Sequence, residues 1–243
     1  MKNQIVGYVF IQLELELELE QMTALTITTA PDIFYPSGDG EPVAETFDHL
    51  YALLITLEVL RQYLAGQQVT VLGNQFLYYA QGFPRLRTAP DVMVIFNVEP
   101  GGRDNYKIWE EGEVPRVIFE ITSASTRHQD EGFKKTLYEQ LGVKEYWQFD
   151  PKGEWIAEQL RGYRLLESAE PTYVPITDGQ SEPLQLRLKA EGRLISFYRI
   201  DTGEKLLIPA EQATALQAER QRSQTLAEQL DRYRQQFGEL PEN

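Results

Sequence analysis

The stretch that decides the fold runs from residue 116 to residue 150 and reads RVIFEITSASTRHQDEGFKKTLYEQLGVKEYWQFD. Its first part, Arg116–Ile121, is an apolar run typical of a buried strand. Apolar residues then recur at helical spacing over residues 129–141, and the glycine that follows can end a helix. Lys144–Phe149 is a second apolar run. The stretch therefore predicts a strand, a helix and a strand, with Glu120 near the end of the first strand.

A second acid opens another apolar run, Asp91–Phe96. A carboxylate at the edge of a buried strand costs free energy unless it is paired or bound to a metal. Asp91 and Glu120, on neighbouring strands, can converge on one metal ion. Two alternatives remain open, because Asp91 also suits a turn after proline and Glu120 also suits a structural salt bridge.

The predicted helix carries a lysine on its inner face. Lys134 points along the apolar stripe of the helix, whereas Lys135 points outward. Lysines are rarely buried unless they are paired, which makes Lys134 a candidate functional residue. The alternative is an ion pair with Asp130, one turn away on the same helix. Tyr138 extends the same ridge, either to donate a hydrogen bond into a site or to pack. The stripe itself consists of Phe133, Leu137 and Leu141.

An earlier helix is predicted from Gly40 to Gly66. Glu45 and His49 lie one turn apart on its flank. Glu45 is either a third acid at the metal or a first-turn residue that interacts with the helix dipole. His49 is interpreted as a flank histidine rather than a ligand. The predicted buried stripe of this helix consists of Val43, Phe47, Leu50, Leu54 and Leu57.

The composition restricts the kind of metal site. The chain has no cysteine and only two histidines, which excludes thiolate sites and leaves oxygen atoms as the main ligands. Oxygen ligands favour Mg²⁺ or Mn²⁺. No apolar run approaches the roughly 20 residues of a membrane span. The N-terminus does not resemble a secretory signal, so no membrane partner and a cytoplasmic location are predicted.

The formal net charge of −14 disfavours a passive nucleic-acid binder. Residues 1–21 and 209–243 account for −3 and −2 of this charge, which leaves −9 for residues 22–208. Any contact with DNA must therefore be made by a limited part of the protein surface. The acidic charge also keeps open a non-catalytic interaction module.

Three segments are predicted from these patterns. Residues 1–21 form an N-terminal leader, although the alternation of leucine and glutamate within them also suits a strand. Residues 22–208 form the main domain, in which a hairpin is expected to turn at Arg161-Gly162. Residues 209–243 form an amphipathic helix that either docks on its own domain or on a partner subunit, or forms a short coiled coil, as in a homodimer. The 4-3-4 spacing behind that helix is set by Leu226, Leu230, Tyr233 and Phe237.

These residues together resemble the PD-(D/E)xK restriction-endonuclease-like superfamily, and more closely its Uma-type branch of endonucleases. The resemblance covers most of residues 35–165. The blocks that carry it are Gly38–Pro42 with Glu45 and His49, Gly73-Asn74 with Phe76, Tyr78 and Tyr79, Pro90-Asp91, Trp109–Gly112 with Pro115, Val117–Ser123, Asp130, Lys134, Tyr138, Gly142-Val143, Glu145–Trp147 and Asp150-Pro151.

The resemblance implies an α/β (α+β) fold with a central mixed β-sheet flanked by helices, to which the C-terminal helix is added. It implies metal ligation by Asp91 and Glu120, helped by Glu45. Thr122 occupies the position of the usual lysine two residues after the second acid. In this branch the role of that lysine falls to the following helix, which places it on Lys134.

The function predicted from the sequence is Mg²⁺-dependent hydrolysis of DNA phosphodiester bonds, with Mn²⁺ as an alternative ion. The predicted catalytic residues are Asp91, Glu120, Lys134 and Glu45. The carbonyl oxygen of Ile121 is predicted as a further metal ligand beside the three carboxylates. The alternatives are a non-catalytic nuclease-fold interaction module and a nuclease that acts on structured RNA or branched DNA.

Overall fold

The computed structural model of the protein describes residues 33–38, 40, 45–122, 129–166, 168 and 171–238. The leader predicted at residues 1–21 lies outside the described residues. The chain divides into two compact units, residues 1–35 and 36–243, and the helices and strands of the described residues all belong to the second unit.

The helices in the described part of the chain are α1 (Phe47–Tyr63), α2 (Ile108–Glu111), α3 (Lys135–Leu141), which is entered through a π-helical turn (Gln129–Lys134), and α4 (Pro209–Phe237). The strands of the same residues are β1 (Val69–Gly73), β2 (Leu77–Tyr78), β3 (Arg87–Thr88), β4 (Val92–Phe96), β5 (Tyr106–Lys107), β6 (Val117–Ile121), β7 (Glu145–Phe149), β8 (Leu160–Leu166), β9 (Thr172–Ile176), β10 (Gln180–Ser181), β11 (Leu186–Glu191) and β12 (Leu194–Arg199).

A mixed six-stranded sheet is the centre of the fold, with the strand order β1-β4-β6-β7-β8-β9. β6 and β7 run parallel, and the other neighbours in this sheet are antiparallel. The parallel pair needs a crossover, which the π-helical turn and α3 supply. The predicted mixed sheet and the strand–helix–strand order are therefore confirmed.

The sheet is buried on both faces by two separate apolar clusters. On one face, α1 and the small sheet β10-β11-β12 cover the inward side chains of β6 and β7. On the other face, α3 packs with the small sheet β3-β2-β5. Both faces of β6 are thus dry, so a polar side chain on this strand needs a partner.

The stripe predicted for α1 is largely wrong, since of its described members only Leu57 packs against the core. Phe47, Leu50 and Leu54 are exposed, and Val43 lies outside the described residues. The helix is apolar on almost every side, so periodicity alone could not identify its inner face. The buried face instead consists of His49, Ala52, Leu53, Ile55, Thr56, Val59 and Leu60.

The hairpin predicted at Arg161-Gly162 is also wrong, because β8 runs straight through both residues and pairs with β9. Gly162 lies opposite Trp147, and a Cβ atom added there would come within 2.5 Å of the indole ring. Glycine is required at this position for a close approach between strands and not for a turn.

The predicted C-terminal helix is present as α4, and it makes no buried contact. None of its residues is buried, and its apolar side chains are exposed. Its first turn contacts α1, where Gln212 donates a hydrogen bond to Gln62, but no apolar face of α4 is buried against the described part of the domain.

Candidate active site

Asp91 lies directly before β4, at the end of the sheet, and is buried. Its Oδ2 accepts a hydrogen bond of 2.6 Å from the backbone amide of Ile121 on β6. The backbone amide of Asn74, at the end of β1, donates to the carbonyl oxygens of Pro90 and Asp91. Asp91 is thus fixed by both neighbouring strands and is more than a turn residue.

Glu120 lies on β6, next to Asp91. Val92 of β4 pairs with Phe119 of β6, and the two strands are antiparallel. The residue before Val92, which is Asp91, therefore lies opposite the residue after Phe119, which is Glu120. Residues paired in this way have Cα atoms roughly 4.5–5.5 Å apart. The two predicted acids therefore converge at one end of the sheet.

Both oxygens of Glu120 are engaged by side chains from the following helix. Oε2 lies 2.8 Å from Nζ of Lys134, and Oε1 accepts a hydrogen bond of 2.7 Å from the hydroxyl of Tyr138. The Tyr138 hydroxyl also lies 3.3 Å from Oγ1 of Thr88. The predicted inward orientation of Lys134 is confirmed, and the side chain of Asp130 lies outside the described part of the chain. Phe133, predicted on the inner stripe, is instead exposed.

A third group, which the sequence placed on a flank, lies on the other side of Asp91. His49 is buried, and its Nε2 lies 3.3 Å from Oδ1 of Asp91 and 3.2 Å from Oε2 of Glu45. One ligand atom from each of these three residues lies within 4.8 Å of the others. The sequence signal for His49 was its spacing of four residues from Glu45, which puts both side chains on one helical face.

The start of α1 fixes this histidine. Thr46 caps the helix, and its hydroxyl accepts a hydrogen bond from the backbone amide of His49. Glu45 comes immediately before the cap, so its carboxylate lies at the same end of the helix. The cap therefore positions both side chains against Asp91.

The site concentrates negative charge in a partly dry environment. Burial raises the pKa of Glu45, and the neighbouring charge of Asp91 raises it further, against the opposing effect of His49. Burial by itself lowers the pKa of His49, but the carboxylates of Asp91, Glu45 and Glu120 outweigh it, so the pKa is raised. Burial and the charge of Glu120 raise the pKa of Tyr138 well above its ordinary value. Tyr138 is therefore a donor to Glu120 that keeps its proton.

The donor set of Glu45, His49 and Asp91 fits a divalent cation. Neither ring nitrogen of His49 has a well-aligned hydrogen bond with any described residue, although two carboxylates approach Nε2 closely. The two carboxylates offer oxygen ligands typical of Mg²⁺ and Mn²⁺ sites, and the imidazole adds a nitrogen ligand more typical of Zn²⁺ or Fe²⁺ sites. Glu120 is not a member of this cluster of described residues, because its oxygens face Lys134 and Tyr138. Ile121 contributes its N–H to Asp91, and metal ligation by its carbonyl oxygen stays a prediction.

Comparison with known proteins agrees with the resemblance seen in the sequence. The Uma2 family, described as "Putative restriction endonuclease", matches residues 10–189, which is well over half of the chain. No curated protein matches the chain. Among the described residues, no helix combines the length and the apolar character needed to cross a membrane.

A solved structure that matches is described as "a putative nuclease belonging to DUF820" from Anabaena variabilis ATCC 29413. It is 15% identical in sequence, covers 59% of this chain and 76% of its own, and has a TM-score of 0.42. The family match rests on the sequence independently of this structure. By that match, the chain belongs to the Uma2 family.

Proposed function

We propose that this protein is a metal-dependent endonuclease that hydrolyses DNA phosphodiester bonds, with Mg²⁺ or Mn²⁺ as its ion. The observation that carries the proposal is the position of Asp91 between two groups of side chains. Glu45 and His49 approach it from α1, and Glu120 lies beside it with Lys134. A metal-binding group and a lysine thus lie at one end of the sheet, which is what phosphodiester hydrolysis requires.

Each side chain has a distinct proposed role. Glu45, His49 and Asp91 would hold the ion, and Glu120 with the carbonyl oxygen of Ile121 would complete the ligand shell. A bound divalent ion supplies Lewis acidity at the scissile phosphate and lowers the pKa of a nearby water. Asp91 remains oriented by the amide of Ile121 throughout.

Lys134 and Tyr138 act on Glu120. The ammonium group of Lys134, 2.8 Å from Glu120, pairs with that carboxylate and brings a positive charge to the site where a phosphate would approach. The Tyr138 hydroxyl holds the other oxygen and so fixes the rotamer of Glu120. Together they present an ordered carboxylate–ammonium pair to the substrate.

The test is cleavage of supercoiled plasmid by the purified full chain in Mg²⁺, Mn²⁺ or EDTA. Wild type is expected to nick the plasmid only with metal. Asp91→Asn and Lys134→Ala are expected to abolish nicking, whereas Lys135→Ala keeps it. Lys135 is the matched control because it is the adjacent lysine, and its ammonium group lies over the ring of Tyr163 instead of at Glu120.

Other outcomes identify the alternatives. Cleavage confined to structured RNA or to branched DNA junctions, presented in parallel, would reassign the substrate and retain the site. Nicking that survives in Asp91→Asn would contradict the assigned centre. No cleavage of any of the three, together with no Mn²⁺ binding by calorimetry, would favour a non-catalytic interaction module.

We also propose that the protein is a homodimer joined through α4. Leu226, Leu230, Tyr233 and Phe237 are all exposed at the 4-3-4 spacing with which two helices interlock. Further back, the next two positions of this spacing are Ser223 and Glu219, so the unbroken apolar stripe is short and extends from Leu226 to Phe237. The helix carries four arginines and four acids, so a second copy meets no net repulsion, and a polyanion would gain no net attraction.

The dimer is tested by the mass of the full chain in solution. Wild type is expected at twice the chain mass, and Leu226→Glu/Leu230→Glu at the mass of one chain. Gln221→Glu/Gln224→Glu adds the same charge away from the stripe and is expected to remain dimeric. A monomeric wild type, or loss of the dimer in both variants, would contradict pairing along this stripe.

A further inference from the structure

A small cleft adjoins the candidate active site at the start of α1, where β6 ends and the chain turns after β7. Its volume is about 80 Å³, and its walls include Thr46, His49, Thr122, Asp150, Lys152 and Trp155. One water needs only ~15 Å³ of such space, whereas ligand pockets usually measure roughly 300–1,000 Å³. The cleft therefore has the size for water and is too small for a nucleobase. It shares His49 with the Glu45–His49–Asp91 cluster.

Thr122 and His49 line the cleft with buried polar atoms that make no aligned hydrogen bond to any described residue, although Nε2 of His49 lies close to two carboxylates. Thr122 is 4% exposed, and its Oγ1 makes no hydrogen bond to any described residue. The ring nitrogens of His49 have no aligned donor or acceptor either. A buried hydroxyl without a partner costs about 1–3 kcal/mol, so a water in the cleft is the natural partner for Thr122.

Asp150, which also lines the cleft, differs from these two residues. Its carboxylate accepts hydrogen bonds from four backbone amides of the turn that follows it: those of Lys152, Gly153, Trp155 and Ile156. This acid is therefore part of the turn and is fully engaged. Asp48, Lys152 and Glu154 also line the cleft but are partly or fully exposed, so Thr122 offers the buried hydroxyl of this lining that lacks a described partner.

The backbone holds Thr122 rigidly beside the cluster. Its amide donates a hydrogen bond of 2.7 Å to the carbonyl oxygen of Phe149, which extends the pairing of β6 with β7 by one residue. The residue before it, Ile121, donates to Asp91. The hydroxyl of Thr122 thus stands one residue from the group that orients Asp91.

We propose that the cleft holds the attacking water and that Thr122 positions it through Oγ1. This inference rests on the proposed endonuclease function. Oγ1 accepts a hydrogen bond from the water and leaves a lone pair of the water free to face the phosphate. The water oxygen then forms a bond to phosphorus, and the bond from phosphorus to the leaving ester oxygen breaks. The proton of the water passes to solvent, and the leaving oxygen takes a proton from solvent.

The test compares Thr122→Val with Thr122→Ser, because valine keeps the shape of threonine and serine keeps the hydroxyl. Thr56→Val is the matched control, since Thr56 is also buried with an unpartnered hydroxyl but lies on the inner face of α1. Thr122→Val is expected to lower kcat roughly 10- to 100-fold with KM unchanged. Thr122→Ser and Thr56→Val are expected to keep kcat within about twofold of wild type.

Melting temperature separates this role from a structural one. Neither hydroxyl is bonded to a described protein group, so removing it leaves no such group unsatisfied, and neither valine variant is expected to melt much earlier than wild type. A fall in kcat without a fall in melting temperature, rescued by serine, supports positioning. Unchanged kcat in Thr122→Val, or an equal loss in Thr56→Val, overturns it.

A crystal structure at high resolution provides a readout that does not depend on cleavage. Wild type is expected to show a water about 2.7–2.8 Å from Oγ1 of Thr122, and Thr122→Val to lack it. A cleft without that water overturns the inference even if the enzyme cuts DNA. A wild type with the water but without activity on any nucleic acid contradicts the endonuclease proposal itself, and with it the role as attacking water.

Discussion

Two buried glutamates on neighbouring parallel strands show how differently one residue type is used in this fold. Glu120 and Glu145 are both almost completely buried, and each contacts a cation. Glu145 accepts hydrogen bonds from Nε and Nη2 of Arg164 and from Nε1 of Trp147. Glu120 instead contacts Lys134 and Tyr138.

The difference lies in what surrounds each pair. The partners of Glu145 lie on its own strand and on β8, and the amide of Glu182 adds a further donor, so the group joins the sheet to the segment before β11. Glu120 lies beside Asp91 and the Glu45–His49 pair, where negative charges accumulate. Burial and a cationic partner are common to both glutamates, so what distinguishes Glu120, the proposed functional acid, is its position beside other acids.

The largest expected effect is on cleavage by Glu120→Gln. The amide keeps the shape of the side chain but removes the charge that Lys134 contacts beside the proposed metal-binding group. Cleavage is expected to fall about 1,000-fold, which corresponds to about 4 kcal/mol of transition-state stabilisation. Single-turnover rates measure this effect, and thermal unfolding shows that the fold persists. A rate within tenfold of wild type would remove Glu120 from the centre.

Glu145→Gln is expected to show the opposite pattern. The change leaves Arg164 with its second partner, Glu182, and removes the buried charge that four donors satisfy. Breaking a buried pair from one side costs about 3 kcal/mol, so the free energy of unfolding should fall by that amount. Urea unfolding measures it, while the cleavage rate per folded molecule stays within about twofold, because the site itself is intact. Equal damage to cleavage in both variants would erase the contrast between the two glutamates.

Much of this contrast could be predicted from the sequence, and some of it could not. Apolar runs ending at Glu120 and Phe149 predicted β6 and β7 correctly, because both strands are buried on both faces. The inner position of Lys134 also followed from helical spacing. These patterns are local, and a local period determines them.

What the sequence left open depends on contacts between distant segments. His49 lies 42 residues before Asp91. Because α1 is apolar on almost every side, its sequence does not indicate which side of the helix faces the sheet. The partners of Glu145 come from three separate segments, so its structural role could not be distinguished from that of Glu120. Gly162 suggested a turn because its actual neighbour, the Trp147 ring, lies on another strand.

Gly162→Ala tests the packing around Glu145 and is expected to lower the free energy of unfolding by less than Glu145→Gln does. The added methyl group would meet the indole of Trp147, which also donates to Glu145. Overpacking of this kind costs about 2 kcal/mol, expected as a lower free energy of unfolding with cleavage unchanged. Gly102→Ala is the control, since nothing lies within 4 Å of a Cβ atom at that position. A stability loss shared by both variants would show that glycine itself, and not the indole, is the cause.

Tyr138→Phe is expected to have the smallest effect and tests the functional side most finely. It removes the hydroxyl that holds Oε1 of Glu120 while the ring remains packed. Cleavage is expected to fall about tenfold, the equivalent of one hydrogen bond to a charged group. Tyr173→Phe removes a buried hydroxyl that donates to the carbonyl oxygen of Val143, so it should cost similar stability without slowing cleavage. If both variants slow cleavage equally, Tyr138 acts only through the packing of α3. In that case the hydrogen bond from Tyr138 does not account for the difference between Glu120 and Glu145.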